Sequence, residues 1–145
     1  MIREAIRSDL NDLLKLYNHL HETDSPYPDK NLIESTWIEI LKDKKIYCFV
    51  KVVNKKLVSS CILTIVPNLT RGARPYALIE NVVTLKNYRR KGYGREVINY
   101  ALQIAKEHNC YKVMLFTGRK ENEVMQFYKS LCFNNEDKQA FIYWL

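Results

Sequence analysis

Apolar and polar positions along the 145-residue chain follow two periods, and the switches between them mark out its elements. Ile2 to Arg7 predicts a short first strand. Ser8 stands in an N-cap place ahead of Leu10, Leu13, Leu14 and Tyr17, whose spacing lays one apolar stripe along a helix. His21 to Lys30, with Pro26 and Pro28, predicts a loop, and Leu32 to Leu41 a second helix. Ile46 to Val53 and Leu57 to Val66 are β-rich runs flanking Asn54, Lys55 and Lys56, the pattern of a hairpin. Pro67 to Pro75 is a polar connection, and a strand resumes at Tyr76. Ile79 to Leu85 then runs through a basic turn into a helical pattern. Cys110 to Phe116 reads as another strand and Thr117 to Lys120 as a polar break. Val124, Phe127, Tyr128 and Leu131 give a further helix one apolar stripe, and Gln139 to Leu145 predicts a last strand. The order β, α, α, β, β, β, α, β, α, β is that of an α/β protein.

Composition narrows this picture. With 47% apolar and 27% charged residues, residues 1–145 suit one domain with a real core. No apolar run approaches bilayer length, and Met1 to Ala5 lacks a signal-peptide core, which predicts a cytoplasmic protein without a membrane partner. Cys48, Cys61, Cys110 and Cys132 are irregularly spaced, with no Cys-x-x-Cys and no matching histidines. That spacing suggests neither a metal site nor a disulfide framework, and most of the four read as small buried hydrophobes. A net charge of +7 favours anions without saying which. The tyrosines are spread over helices and strands rather than along one basic face, which argues against nucleic acid.

The chemistry concentrates between Ile79 and Phe133. Arg89, Arg90, Lys91, Gly92, Tyr93, Gly94 and Arg95 form a basic turn where a strand becomes a helix, and two of the four glycines lie one residue apart in it. Both glycines are expected to permit φ > 0 or close backbone approach, so that N–H groups converge on an anion at the helix N-terminus. A polyphosphate is the natural guest. The P-loop string is absent, and the dinucleotide fingerprint fails because Val97 stands where a third small residue is needed.

What remains, Arg89-x-x-Gly92-x-Gly94, resembles the Gln/Arg-x-x-Gly-x-Gly/Ala signature of the GNAT superfamily of N-acetyltransferases. Phe127, Tyr128, Lys129, Ser130, Leu131, Cys132 and Phe133 look like that superfamily's Phe-Tyr-x-x-x-Gly-Phe element, with cysteine at the usual glycine. The resemblance implies a mixed central sheet, flanked by helices and splayed at the cofactor site between the strand ending near Thr84 and the strand Tyr111 to Phe116. It implies acetyl-CoA as cofactor, its pyrophosphate held by Arg89 to Arg95 and its pantetheine arm by backbone of Val82, Val83 and Thr84. Asn122 resembles the asparagine that touches coenzyme A, although Glu121 occupies the usual spacing. Tyr128 is implied as the acid that protonates the departing thiolate. Ordinary core packing is the competing role for a Phe-Tyr pair on an apolar stripe.

Glu80 is the candidate base. Strict alternation places its side chain with Val82 and Thr84, and Asn81 on the other face; a solvated or ion-paired role is the alternative. Ile79 to Val83, Asn109 to Lys112 and Phe127 to Lys129 are also similar to eukaryotic glucosamine-6-phosphate N-acetyltransferases, which carry Glu-Asp where this chain has Glu80 and Asn81. The resemblance thus implies direct acetyl transfer to a small-molecule or peptide amine, and it allows a homodimer. The alternative is a non-catalytic acyl-CoA sensor or nucleic-acid-binding module. No cysteine stands in an activated-nucleophile setting, so an acetyl-cysteine intermediate has no support.

Overall fold

β2 (Ile46–Val53), β3 (Lys56–Val66) and β4 (Tyr76–Thr84) pair antiparallel in a sheet of order β1-β2-β3-β4-β5. β1 (Ile2–Glu4) and β5 (Val113–Leu115) complete it. The computed structural model describes residues 1–20 and 29–145, so most of the loop expected from His21 to Lys30 lies outside the described residues. By contact density the chain divides into two compact units, Met1–Met114 and Leu115–Leu145.

The β2–β3 hairpin is tighter than its sequence suggested. Asn54 (φ 48°) and Lys55 (φ 64°) are both left-handed, as a two-residue type I′ turn requires, and Lys56 already pairs with Val53. Helices cover both faces of the sheet. α1 (Leu10–Tyr17) packs on β3 and β4, and α2 (Lys30–Lys42) on β2. Their core gathers Leu13, Leu16 and Trp37 with Cys48, Val50, Leu57 and Val83. The α1 stripe is therefore rotated from expectation, with Leu16 rather than Leu14 in the core. On the opposite face α4 (Tyr93–Glu107) lays Val97, Ile98, Ala101 and Ala105 against β2, β3 and β4. There Phe49 meets Tyr100 edge-on at 5.0 Å. Each fully buried Val or Ile contributes about 1.5–3 kcal/mol, which is what anchors the head of α4 beside the end of β4.

Several boundaries differ from the pattern. β1 stops at Glu4, and Arg7–Asp9 form a 3-10 turn. Ser8 does not cap α1; Asp9 precedes it, accepting from Ile6 N at 2.8 Å and from both Arg3 guanidinium nitrogens at 2.6 and 3.0 Å. A charge-assisted bidentate pair outweighs a hydroxyl cap. Asp29, accepting from Asn31 N, caps α2 and starts it two residues early. The strand expected over Cys110 to Phe116 shrinks to Val113–Leu115, because Asn109 and Cys110 close α4 instead. Asn109 is left-handed (φ 56°), and Cys110 N donates to Ala105 O at 3.0 Å. Tyr111 N to Pro75 O and Ala77 N to Lys112 O then attach this chain to the start of β4. Thr70–Ala73 (α3) is a four-residue turn with Arg71 and Gly72 left-handed.

In the second unit α5 spans Asn122–Lys129, and Cys132, in the turn that closes it, has φ 64°. The strand expected at Gln139 to Leu145 is absent: these residues form no ladder, with Phe141 92% and Tyr143 88% exposed. A β-favouring composition makes a strand only where a backbone edge receives it.

Candidate active site

The basic turn is built from the end of β4 forward. Lys86–Tyr88 form a 3-10 turn, Arg90 (φ 60°) and Gly92 (φ 83°) are left-handed, and α4 begins at Tyr93. Of the two glycines expected to supply positive φ, Gly94 does not. It is a helical residue of the first turn, and Arg90 takes the left-handed role. Among the described residues no side chain caps α4, so its first N–H groups face outward without intrahelical partners. A β-carbon placed on Gly92 would meet nothing within 4 Å among the described residues.

The cations around this helix end are held in place. Arg89 Nε donates to Thr84 O at 3.1 Å, tying the turn to β4. Lys91 and Lys56 lie over the Tyr88 ring, at 5.3 and 5.7 Å from its centroid. Lys51, 5.3 Å from the Tyr93 ring, also pairs with Glu96. Lys51 and Lys56 escaped the sequence reading because they sit on β2 and β3, brought there by sheet pairing. Separately, a cavity of about 600 Å³ lined by Glu4, Lys45, Tyr47 and His108 opens at the other end of α4. A 15-residue helix puts it about 22 Å from the turn, so the two are distinct.

β4 reaches the turn through a bulge. Ile62 pairs with Glu80 and Ser60 with Val83, so β3 advances from 60 to 62 while β4 advances from 80 to 83. The extra residue leaves Asn81 and Val82 outside the β3 ladder, and Asn81 has φ 51°. Asparagine tolerates this conformation better than other non-glycine residues. The bulge overturns the expected facing of Glu80. Glu80 pairs with Ile62, a member of the α1/α2 core, and so shares that face with Val83. Thr84 points the other way, its Oγ1 2.8 Å from Ser59 Oγ. Asn81 faces Tyr17 of α1 rather than the α4 side.

Partial desolvation pushes the Glu80 carboxyl above the usual carboxylate range. Among the described residues it makes no ion pair, which leaves it available to accept a proton. Val83 O already accepts from Ser59 Oγ at 2.9 Å, and Thr84 O from Arg89. Val82 is therefore the expected pantetheine contact whose backbone lies outside the β3 ladder.

The second unit holds the remaining candidates. Asn122 is the first residue of α5, directly after Glu121 at the N-cap. Tyr128 lies in the last turn, edge-on to Phe127 at 5.1 Å and to Phe133 at 6.2 Å. Phe133 N donates to Tyr128 O at 3.2 Å and Cys132 N to Lys129 O at 2.9 Å, the paired bonds of a Schellman cap. Cysteine thus fills the usual glycine position without changing the cap, and the Tyr128–Phe133 ring contact is the apolar pairing such caps carry.

A model of the acetyltransferase (GNAT) family matches residues 10–133. The chain belongs to that family. It is 31% identical over 143 residues to the glucosamine 6-phosphate N-acetyltransferase of Trypanosoma brucei brucei, covering 95% of this chain and 91% of the relative. Among solved structures it is similar to a putative acetyltransferase from Agrobacterium tumefaciens str. C58, with 42% identity, a TM-score of 0.92 and 99% of both chains covered. A transcriptional regulator from Bacillus halodurans C-125 superposes with a TM-score of 0.87 at 25% identity over 99% of both chains. The chain is thus an acetyltransferase on a five-stranded mixed sheet flanked by helices. For a GNAT enzyme, the head of α4, which no side chain caps among the described residues and which cations surround, fits the diphosphate of a coenzyme A ester.

Among the described residues no group of three or more His, Cys, Asp or Glu could hold a metal ion, and no helix is long and apolar enough to cross a membrane. Cys48 and Cys61 are buried, Cys110 is half-buried and Cys132 exposed. Burial pushes the Cys48 thiol up to about 12, the opposite of an activated nucleophile.

Proposed function

We propose that the enzyme transfers an acetyl group from acetyl-CoA to the primary amine of a small molecule or peptide, in one step within a ternary complex. The head of α4 carries this reading: among the described residues no side chain caps it, Gly92 is left-handed, and cations surround it. Bound acetyl-CoA supplies a thioester open to attack by an amine, with a thiolate as leaving group.

The chain's own residues divide the remaining work. The first N–H groups of α4, with Arg89, Arg90, Lys91 and Arg95, bind the diphosphate, and Val82 offers backbone to the pantetheine arm. Glu80, held partly desolvated, accepts the proton of the attacking amine through a water. Tyr128 donates a proton to the departing sulfur, and Asn122 is assigned to coenzyme A contact. An amino-sugar phosphate heads the list of acceptors, since the Trypanosoma relative is named for one and the site is basic.

Titration calorimetry with acetyl-CoA, then turnover with an amine panel led by glucosamine 6-phosphate, tests the reading. Binding, intersecting double-reciprocal lines, and a Tyr128→Phe kcat lower by about a hundred- to ten-thousand-fold at unchanged acetyl-CoA affinity are expected. Failure to bind at millimolar acetyl-CoA would reject it. Similarity to the Bacillus regulator favours one alternative, a nucleic-acid-binding module. Salt-sensitive retention of DNA or RNA that acetyl-CoA does not compete, without turnover, would establish that instead.

A further inference from the structure

Beneath the β4 bulge lies a polar cluster to which the mechanism above gives no task. Tyr17 closes α1, and its hydroxyl is buried without a hydrogen-bond partner among the described residues. Ser60, on β3, is fully buried, and its hydroxyl is equally unpartnered. The polar groups facing the Tyr17 hydroxyl are the side chains of Asn81, Ser60 and Cys48. Around them the core is apolar, with Leu13, Leu16, Trp37 and Val83. Buried hydroxyls in native proteins are almost always satisfied. Left dry, these two weaken the fold, and Phe at 17 with Ala at 60 would fill similar space without that penalty.

The cluster converges on the bulge that sets the facing of Glu80. Asn81 holds a left-handed φ, and its carboxamide offers both donors and an acceptor. Glu80 is its immediate neighbour, so rotation of the peptide between them re-aims the carboxylate. Hydrogen bonds of this kind are often long in an unloaded enzyme and tighten when substrate is bound.

We infer that Tyr17 and Ser60 are positioning residues for acetyl transfer: their hydroxyls close on the Asn81 carboxamide in the loaded enzyme, lock the bulge and aim Glu80 at the amine. This rests on Glu80 being the base. Neither hydroxyl belongs to the coenzyme-binding turn, so the effect falls on the chemical step rather than on acetyl-CoA affinity. Misplacing a reacting group by about 1 Å can cost on the order of a hundredfold in rate.

Tyr17→Phe, Ser60→Ala, the double variant and Glu80→Gln should be compared by kcat, acetyl-CoA Kd and thermal midpoint. Tyr17→Phe is expected to lower kcat roughly ten- to a hundredfold with acetyl-CoA Kd unchanged. The double variant should add little to that loss, because the two hydroxyls serve one network. If Tyr17→Phe melts higher and keeps full kcat, the hydroxyl is a dry structural remnant and the inference falls. It falls equally if kcat, Kd and melting point all drop together, since that is lost folding. Slow Glu80→Gln beside a normal Tyr17→Phe would overturn only this inference. A normal Glu80→Gln would overturn the base assignment as well.

Discussion

Replacing Cys132 with glycine should stabilise the protein without changing its catalysis. Cys132 is the left-handed residue of the cap that closes α5, with a φ of 64°. A β-carbon there costs about 1–2 kcal/mol relative to an unstrained conformation. The side chain is exposed, so little packing offsets the strain. Glycine removes it but returns about 0.5–1 kcal/mol through the greater freedom of the unfolded chain. The net gain is about 0.5–1 kcal/mol, or roughly 1–4 °C in Tm for a chain of this length. Circular dichroism melts of the wild type, Cys132→Gly and Cys132→Ala would measure it. Alanine keeps the β-carbon and should gain nothing. The backbone bonds from Cys132 and Phe133 to the end of α5 survive in glycine, so Tyr128 keeps its ring contact with Phe133 and kcat should not move. A glycine variant no more stable than alanine would refute the strain argument.

Gly92→Val should fold, since the space over Gly92 is open, yet weaken acetyl-CoA by about tenfold or more, because a β-branched residue leaves the left-handed region and redirects the head of α4; calorimetry showing wild-type affinity would sink this. Glu80 has a raised pKa, so its ionised form opposes folding above that value and the penalty vanishes below the ordinary carboxylate range. Glu80→Gln should therefore raise Tm at neutral pH but not at about pH 3.5, and it should remove the acidic limb of the kcat/KM profile. Asp9 is the opposite case: the Arg3 guanidinium, and then the Ile6 N–H, hold its carboxyl below the usual range. Its stabilisation is present above the ordinary value and lost as pH falls through the lowered one, so Asp9→Asn should cost about 1 kcal/mol at neutral pH after solvent screening, and little in strong acid. Equal losses at both pH values would contradict the pairing.

What could be read from the chain, and what could not, follows the range of the forces involved. The basic turn, the hairpin at Asn54 and Lys55, and the stripe of α5 are local, because φ preferences and side-chain spacing act over a few residues. The matching family and fold bear out the family membership read from the Gly92 and Tyr128 segments. Ser8 does not cap α1, because a 3-10 turn comes first and Asp9 stands at the helix start with its carboxylate held by Arg3 of β1, a pairing that spacing alone does not reveal. Gln139 to Leu145 is rich in β-favouring aromatic and apolar residues but forms no ladder, since pairing depends on a partner edge. Lys51 and Lys56 reach the turn only through the sheet register. Two signals were nevertheless present: an asparagine inside the β-branched run Ile79 to Thr84, and the serine pair Ser59 and Ser60 inside an apolar strand.

The bulge at Asn81 shows why one residue outweighs the rest of the pattern. Alternation along β4 assigns Glu80 and Thr84 to one face, and every later inference about the base would inherit that error. One left-handed residue inserts an extra step, so Glu80 turns to the α1/α2 side while Thr84 stays with α4. The strand can then serve both faces at once. Its Thr84 end is tied to the basic turn through Arg89, and its Glu80 end lies on the side of α1, which carries Tyr17. Without the bulge, Glu80 would keep the facing of Thr84 and point towards α4, whose N-terminus is assigned to the coenzyme. With it, the carboxylate proposed as base and the turn proposed for the diphosphate lie on opposite sides of a single strand, an arrangement in which an amine could approach Glu80 without displacing the cations at the turn.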